Sequence, residues 1–163
     1  MSVWHGFSPE SRTFAGPGAP PPRLQPEAPG GILPVAARNS RLKVLIVDDE
    51  ALICWAVAEG LIAAGYDVVT AAAAGQALGL IDEPTVRIDM ALVDLRLPDG
   101  SGLTVLERLR ERRGVPGVLM TAYAAPGIAR DAEAAGALCV VVKPFDLGDI
   151  IRLVGNTLRD DAR

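Results

Sequence analysis

KVLIVDDE, Lys43–Glu50, sets four apolar residues in a row, three of them β-branched, directly before Asp48 and Asp49. β-Branched side chains suit a pleated strand, and an apolar run that stops abruptly at charge reads as a buried strand end. Working outward, the same kind of run recurs at Val68–Val69, Met90–Val93, Val118–Met120 and Leu138–Val142, each bounded by polar, Gly, Pro or alanine-rich segments. Between and after these runs lie segments with helical spacing: Ala51–Ala64, Ala74–Ile81, Gly102–Arg112, Ile128–Ala135 and Leu147–Leu158. The pattern is strand then helix, five times over. Strands that are apolar throughout, rather than alternating, are expected where helices cover both faces of a parallel sheet. The fold class is therefore α/β, a doubly wound five-stranded parallel sheet. No internal repeat or heptad pattern competes with it, and no helix-turn-helix fits after Leu158, so an output domain is not expected in this chain.

Ligands of open α/β sheets bind beyond the carboxyl ends of the strands. Asp48 and Asp49 follow the first strand, Asp94 the third, Thr121 the fourth, and Lys143 with Pro144 the fifth. The second strand runs into Thr70 and alanines, as suits an edge strand away from the site. Two carboxylates about 4 Å apart repel by ~4 kcal/mol at an effective dielectric near 20, so three in one place call for a cation. Lys143 supplies one positive charge, and an oxygen-only donor set with an open mouth matches Mg²⁺ better than zinc. In such a site a carboxylate can attack phosphorus while the metal, Lys143 and the Thr121 hydroxyl stabilise the equatorial oxygens.

Four segments, KVLIVDDE (43–50), VDLRLPDGSG (93–102), LMTAYA (119–124) and VVKPF (141–145), resemble the motifs of response-regulator receiver domains. They occur in order, with 45 residues from Asp49 to Asp94, 27 on to Thr121 and 22 more to Lys143, and the resemblance spans residues 42–158. It implies a flavodoxin-like, chemotaxis-regulator-like fold of three αβα layers with strand order 2-1-3-4-5. It further implies that Asp94 is the phosphoacceptor, that Asp49 and Asp94 ligate Mg²⁺ directly, that Asp48 acts largely through water, and that the Arg96 carbonyl completes the protein ligands. Thr121 and Lys143 would bind the phosphoryl oxygens, Gly102 would admit the chain to the third helix after the turn at Pro98, and the bond from Lys143 to Pro144 is a candidate cis peptide. The implied partners are a sensor histidine kinase or phosphotransfer protein and a downstream protein target, the latter through the fourth and fifth helices. Two-component signalling by a stoichiometric, self-modifying phosphoacceptor, not an enzyme, is the expectation.

Two departures from the family pattern bear on regulation. Val140 stands where the family usually has an aromatic switch residue, so activation by a swinging ring is not expected. Tyr123 and Arg96, two positions beyond Thr121 and Asp94, match family positions that govern water access to the acyl phosphate; both are large, which predicts slow self-dephosphorylation.

Alternatives stay open within the class: a phosphorelay shuttle or a phosphate sink. An aspartyl-phosphate phosphohydrolase is the remote reading, because that chemistry usually wants an acid two residues after the nucleophile and Arg96 is there. Gly100-Ser101-Gly102 lacks the third glycine of a dinucleotide fingerprint and follows the wrong strand. Asp48 and Asp49 on their own would equally serve to cap the helix beginning near Glu50.

The remaining features bound the class. With 163 residues, a net charge of −4 and half the residues hydrophobic, the chain reads as one cytoplasmic domain, 41–163, with no attraction to nucleic acid. No apolar stretch reaches the ~18 residues of a membrane span. Eight of the thirteen prolines fall in residues 1–40, which read as a disordered arm and inert linker; only Gly18–Pro22 would suit a proline-reading partner. His5 in that arm reads as solvated. Cys54 and Cys139 lack zinc spacing and are expected as buried, reduced thiols. Arg108, Arg110, Arg112 and Arg113 alternate with Glu107 and Glu111 and read as a solvated helix face. On the first helix Ile53, Val57 and Leu61 form a core stripe, whereas Leu52, Trp55 and Ile62 fall on a second apolar face. By the resemblance, Leu52 and Trp55 would belong to a kinase-docking surface, unless a tail or the last helix covers them. A monomer or weak homodimer is expected.

Overall fold

The computed structural model describes residues 41–160. The expected arm, with Trp4, His5, Phe7, Phe14 and Gly18–Pro22, lies outside the described residues.

The elements follow the expected alternation: β1 (Lys43–Val47), α1 (Ala51–Ala63), β2 (Asp67–Ala71), α2 (Ala74–Asp82), β3 (Met90–Asp94), β4 (Arg96–Leu97), β5 (Gly100–Ser101), α3 (Gly102–Arg113), β6 (Gly117–Thr121), α4 (Ile128–Ala134), β7 (Ala137–Val142) and α5 (Leu147–Asp160). The main sheet has five parallel strands in the order β2-β1-β3-β6-β7. Counted over those strands alone this is 2-1-3-4-5, as the resemblance implied. Alternate residues of the central strands face opposite helical layers. Leu45, Val47, Ala91, Val93 and Leu119 pack with α2, α3 and α4, while Val44, Ile46, Leu92, Val118 and Met120 pack with α1 and α5.

The central strands β3 and β6 are buried along their whole length, whereas the edge strands β2 and β7 are only half covered. Burial on both faces explains why the interior strands were legible as unbroken apolar runs. Element limits move by one or two residues, chiefly at β2, where Asp67 and Thr70 are exposed and carry no apolar signal. Two features were not foreseen. Arg96–Leu97 and Gly100–Ser101 pair as a small antiparallel hairpin around Pro98 and Asp99. In β7 the register slips by one residue between Ala137 and Cys139, leaving Leu138 as the extra residue, 57% exposed. A bulge of this kind is a common way to interrupt an edge strand.

Two expectations need correction. Cys54 and Cys139 are free but half-buried rather than buried, each facing the α1/α5 layer at its margin. Burial nonetheless pushes both thiols up, and at Cys54 the charge of Asp48 adds to it. The α3 arginines are not merely solvated. Arg108 makes a two-pronged pair with Asp82 at 2.9 and 2.7 Å, Arg113 donates to the carbonyls of Ile81 and Glu83 at 2.8 and 2.6 Å, and Arg110 donates to the Ala134 carbonyl at 2.7 Å. Helix ends leave carbonyls without intrahelical partners, and these long cations reach those at the ends of α2 and α4. Of the alternatives left open for the second apolar face of α1, cover by the last helix is not seen. α5 meets α1 at Gly60, where an added Cβ would come within 3.0 Å of Leu147. Leu52, Trp55 and Ile62 remain 75%, 62% and 47% exposed.

Candidate functional site

Parallel strands end on one rim, and the polar residues that follow them converge there. Asp94 is the last residue of β3 and Thr121 the last of β6; Asp48 and Asp49 follow β1, and Lys143 follows β7, joined to Pro144 by a cis peptide. Backbone bonds from Asp48 N–H to the Ala71 carbonyl (3.0 Å) and from Lys143 N–H to the Thr121 carbonyl (2.7 Å) carry the ladder to this level. Asp48, Asp94 and Thr121 are the buried polar residues among the described ones.

Lys143 is the hub of the site. Its side chain is 8% exposed, and Nζ lies 2.8 Å from Asp48 Oδ2, 3.1 Å from Glu50 Oε1 and 3.1 Å from Asp94 Oδ1. Burial alone would lower its pKa, but the bonds from Asp48, Glu50 and Asp94 outweigh it and hold the ammonium above the ordinary lysine value. Burial pushes the Asp94 carboxyl up, and the charge of Asp48 adds to that; Lys143 and the Arg96 N–H, which donates to Asp94 Oδ2 at 3.1 Å, pull the other way. Asp48, Asp49 and Asp94 each offer a carboxylate oxygen within 4.8 Å of the others. With Asp49 exposed at the mouth and only oxygen donors present, this set fits a hard divalent cation that keeps some of its water. The Asp48 carboxylate also accepts from Glu50 N–H at 2.9 Å, a local side-chain turn that leads the chain into α1.

A cleft of about 280 Å³ opens over Asp94, bordered by Asp49, Glu50, Arg96, Thr121, Tyr123 and Lys143. Thr121 Oγ1 donates to the Tyr123 carbonyl at 3.0 Å and accepts from its N–H at 3.1 Å, which fixes the start of the following loop. Tyr123 is 62% exposed at the rim. Val140 lies outside the cleft, packed with the cluster containing Ala132 and Ala135 under α4.

Sequence reasoning missed two residues here. Glu50 was read only as a helix start, although it is the third acid of the run. Asp99, in the β4–β5 turn, accepts from Ala74 N–H at 2.6 Å and Gly75 N–H at 2.8 Å, capping α2, whose own N-cap residue Ala73 offers no side-chain acceptor.

The family model described as response regulator receiver domain matches residues 44–155. The transcriptional regulatory protein PdtaR of Mycobacterium tuberculosis is 34% identical over 112 residues, which cover 67% of this chain and 53% of PdtaR. The response regulator protein PilR of Pseudomonas aeruginosa is 38% identical over 122 residues, covering 74% of this chain and 27% of PilR. The chain thus spans about half the length of the one and a quarter of the other. Among solved structures, a CheY-like receiver domain protein from Methanospirillum hungatei superposes with a TM-score of 0.70 at 31% identity over 74% of this chain and 96% of its own. The BeF₃-activated receiver domain of DrrB gives 0.67 at 27% identity over 73% and 98%.

Proposed function

This chain belongs to the response regulator receiver domain family, and on that premise we propose that it takes a phosphoryl group from a sensor histidine kinase or phosphotransfer protein onto Asp94 and signals by binding a downstream protein. The observation that supports this most is the meeting of Asp94 Oδ1 and Asp48 Oδ2 at the Lys143 ammonium, 3.1 and 2.8 Å away.

A carboxylate oxygen of Asp94 attacks the donor's phosphorus, the bond to the donor nitrogen or oxygen breaks with its electron pair leaving on that atom, and an acyl phosphate results. Lys143 and the Thr121 hydroxyl bind the equatorial oxygens of the transferring group. Asp48, Asp49, Asp94 and the Arg96 carbonyl would hold Mg²⁺, which when bound would supply neutralising charge for those oxygens. The stoichiometry is one phosphoryl group per chain, so the protein is a phosphoacceptor and not a turnover enzyme. The faces of α4 and α5 carry the signal to the target. No helix among the described residues is long and apolar enough to cross a membrane, and a cytoplasmic location suits a partner of kinases.

Incubation with Mg²⁺ and acetyl phosphate should place one acid-stable, base-labile phosphate on the wild-type chain and none on Asp94→Asn. Equal labelling of the variant, or rapid turnover of many phosphate esters, would overturn the proposal.

A further inference from the structure

We propose that Glu50 is a positioning residue for Lys143, keeping the ammonium directed at Asp94 once the aspartates are engaged by a cation; this rests on the phosphoacceptor reading above. A lysine ammonium has three N–H donors and no acceptor. At Lys143 they meet Asp48 Oδ2, Glu50 Oε1 and Asp94 Oδ1 at 2.8, 3.1 and 3.1 Å. Two of those carboxylates belong to the three-aspartate cluster that suits a divalent ion, and Glu50 does not. When a cation draws on Asp48 and Asp94, Glu50 is the partner whose full charge remains available to the lysine.

The local geometry leaves the Glu50 side chain available for that purpose. Glu50 is the N-cap of α1, yet its side chain makes no capping bond, whereas N-cap side chains ordinarily accept from the first helical turn. Its own N–H is taken by Asp48 Oδ1 at 2.9 Å, which anchors its backbone beside the cluster. The carboxylate instead crosses to a residue 93 positions away. An ion pair with an exposed partner ordinarily contributes little to stability, but here the lysine end is 8% exposed, and a desolvated ammonium must keep its hydrogen-bond partners. The contribution of Glu50 is therefore to the orientation of Lys143 rather than to the stability of the fold.

The test is clean because Lys43 and Lys143 are the only lysines in the chain. ¹⁵N-lysine labelling gives two side-chain signals, which Lys143→Arg assigns. Without metal, the Lys143 ammonium protons should be protected from solvent exchange in wild type and in Glu50→Ala alike, held by Asp48 and Asp94. With saturating Mg²⁺, protection should persist in wild type and fall about tenfold in Glu50→Ala, with Glu50→Gln, which keeps the acceptor and drops the charge, in between. The maximal rate of phosphorylation by acetyl phosphate should fall about fivefold in Glu50→Ala, the scale of one lost hydrogen bond, without a rise in the half-saturating donor concentration. Equal protection in Mg²⁺-loaded wild type and Glu50→Ala overturns the inference. If protection separates the two while Asp94 of the wild type takes no phosphate, the positioning role stands and the phosphoacceptor reading fails.

Discussion

Gly102 lies so close to Asp94 that a Cβ added to it would sit 2.1 Å from the Asp94 carbonyl oxygen. The contact places the first residue of α3 over the end of β3, with Gly102 N–H donating to the Leu95 carbonyl at 2.9 Å. The obstacle is backbone, which cannot swing aside as a side chain would, so Gly102→Ala must displace the strand end that carries Asp94. A loss of about 2–3 kcal/mol in urea unfolding is expected, together with slower phosphorylation. An unfolding midpoint like that of wild type would refute this backbone contact.

Asp99 links the same loop to α2. Its carboxyl is held below the usual range by the N–H groups of Gly75 and then Ala74. A carboxylate whose pKa is depressed by folding contributes stability that is present above its unfolded value and lost as pH falls through the folded one. The amide signals of Ala74 and Gly75 should therefore titrate together, at a pH below that of ordinary aspartates. Asp99→Asn keeps one acceptor oxygen and should loosen the first turn of α2 already at neutral pH, read as faster amide exchange there. Unchanged exchange would dismiss the cap.

Trp55 and Leu52 stand out from α1 with 62% and 75% of their surface exposed, next to the Asp48–Asp49 rim. For Trp55→Ala we expect stability within about 0.5 kcal/mol of wild type, as for surface changes generally. Labelling by acetyl phosphate should be unaffected, and transfer from the cognate histidine kinase should slow by about thirtyfold, the scale of a buried aromatic contact in an interface. A kinase rate equal to wild type would remove α1 from the docking surface.

Tyr123 and Arg96 border the cleft over Asp94, and we expect these large side chains to hinder the approach of an attacking water. The acyl phosphate should persist for minutes or longer, and Tyr123→Ala should shorten its life. Decay of the wild-type phosphoprotein within seconds, followed by loss of label, would refute the shielding.

The alternation of strands and helices, the parallel sheet, and the acids and lysine at the strand ends were legible in the sequence because each is a local property. A buried strand reads as an unbroken apolar run, and the residue after it is bound to appear on the carboxyl rim. Where one face was solvated the signal faded, as at Asp67 and Thr70 of β2 and at the Leu138 bulge of β7.

What only the tertiary structure decided are the particular partners. Local patterning names a charged side chain but not the group it reaches, because that depends on where separate strands and helices bring their ends in space. Thus Arg113, expected in solvent, caps carbonyls at the end of α2; Asp99 caps the start of the same helix; and Glu50 shares Lys143 with two aspartates. Residues 93 apart in the chain meet at 3.1 Å here, a separation set by sheet order and helix packing, to which the periodicity around either residue is blind.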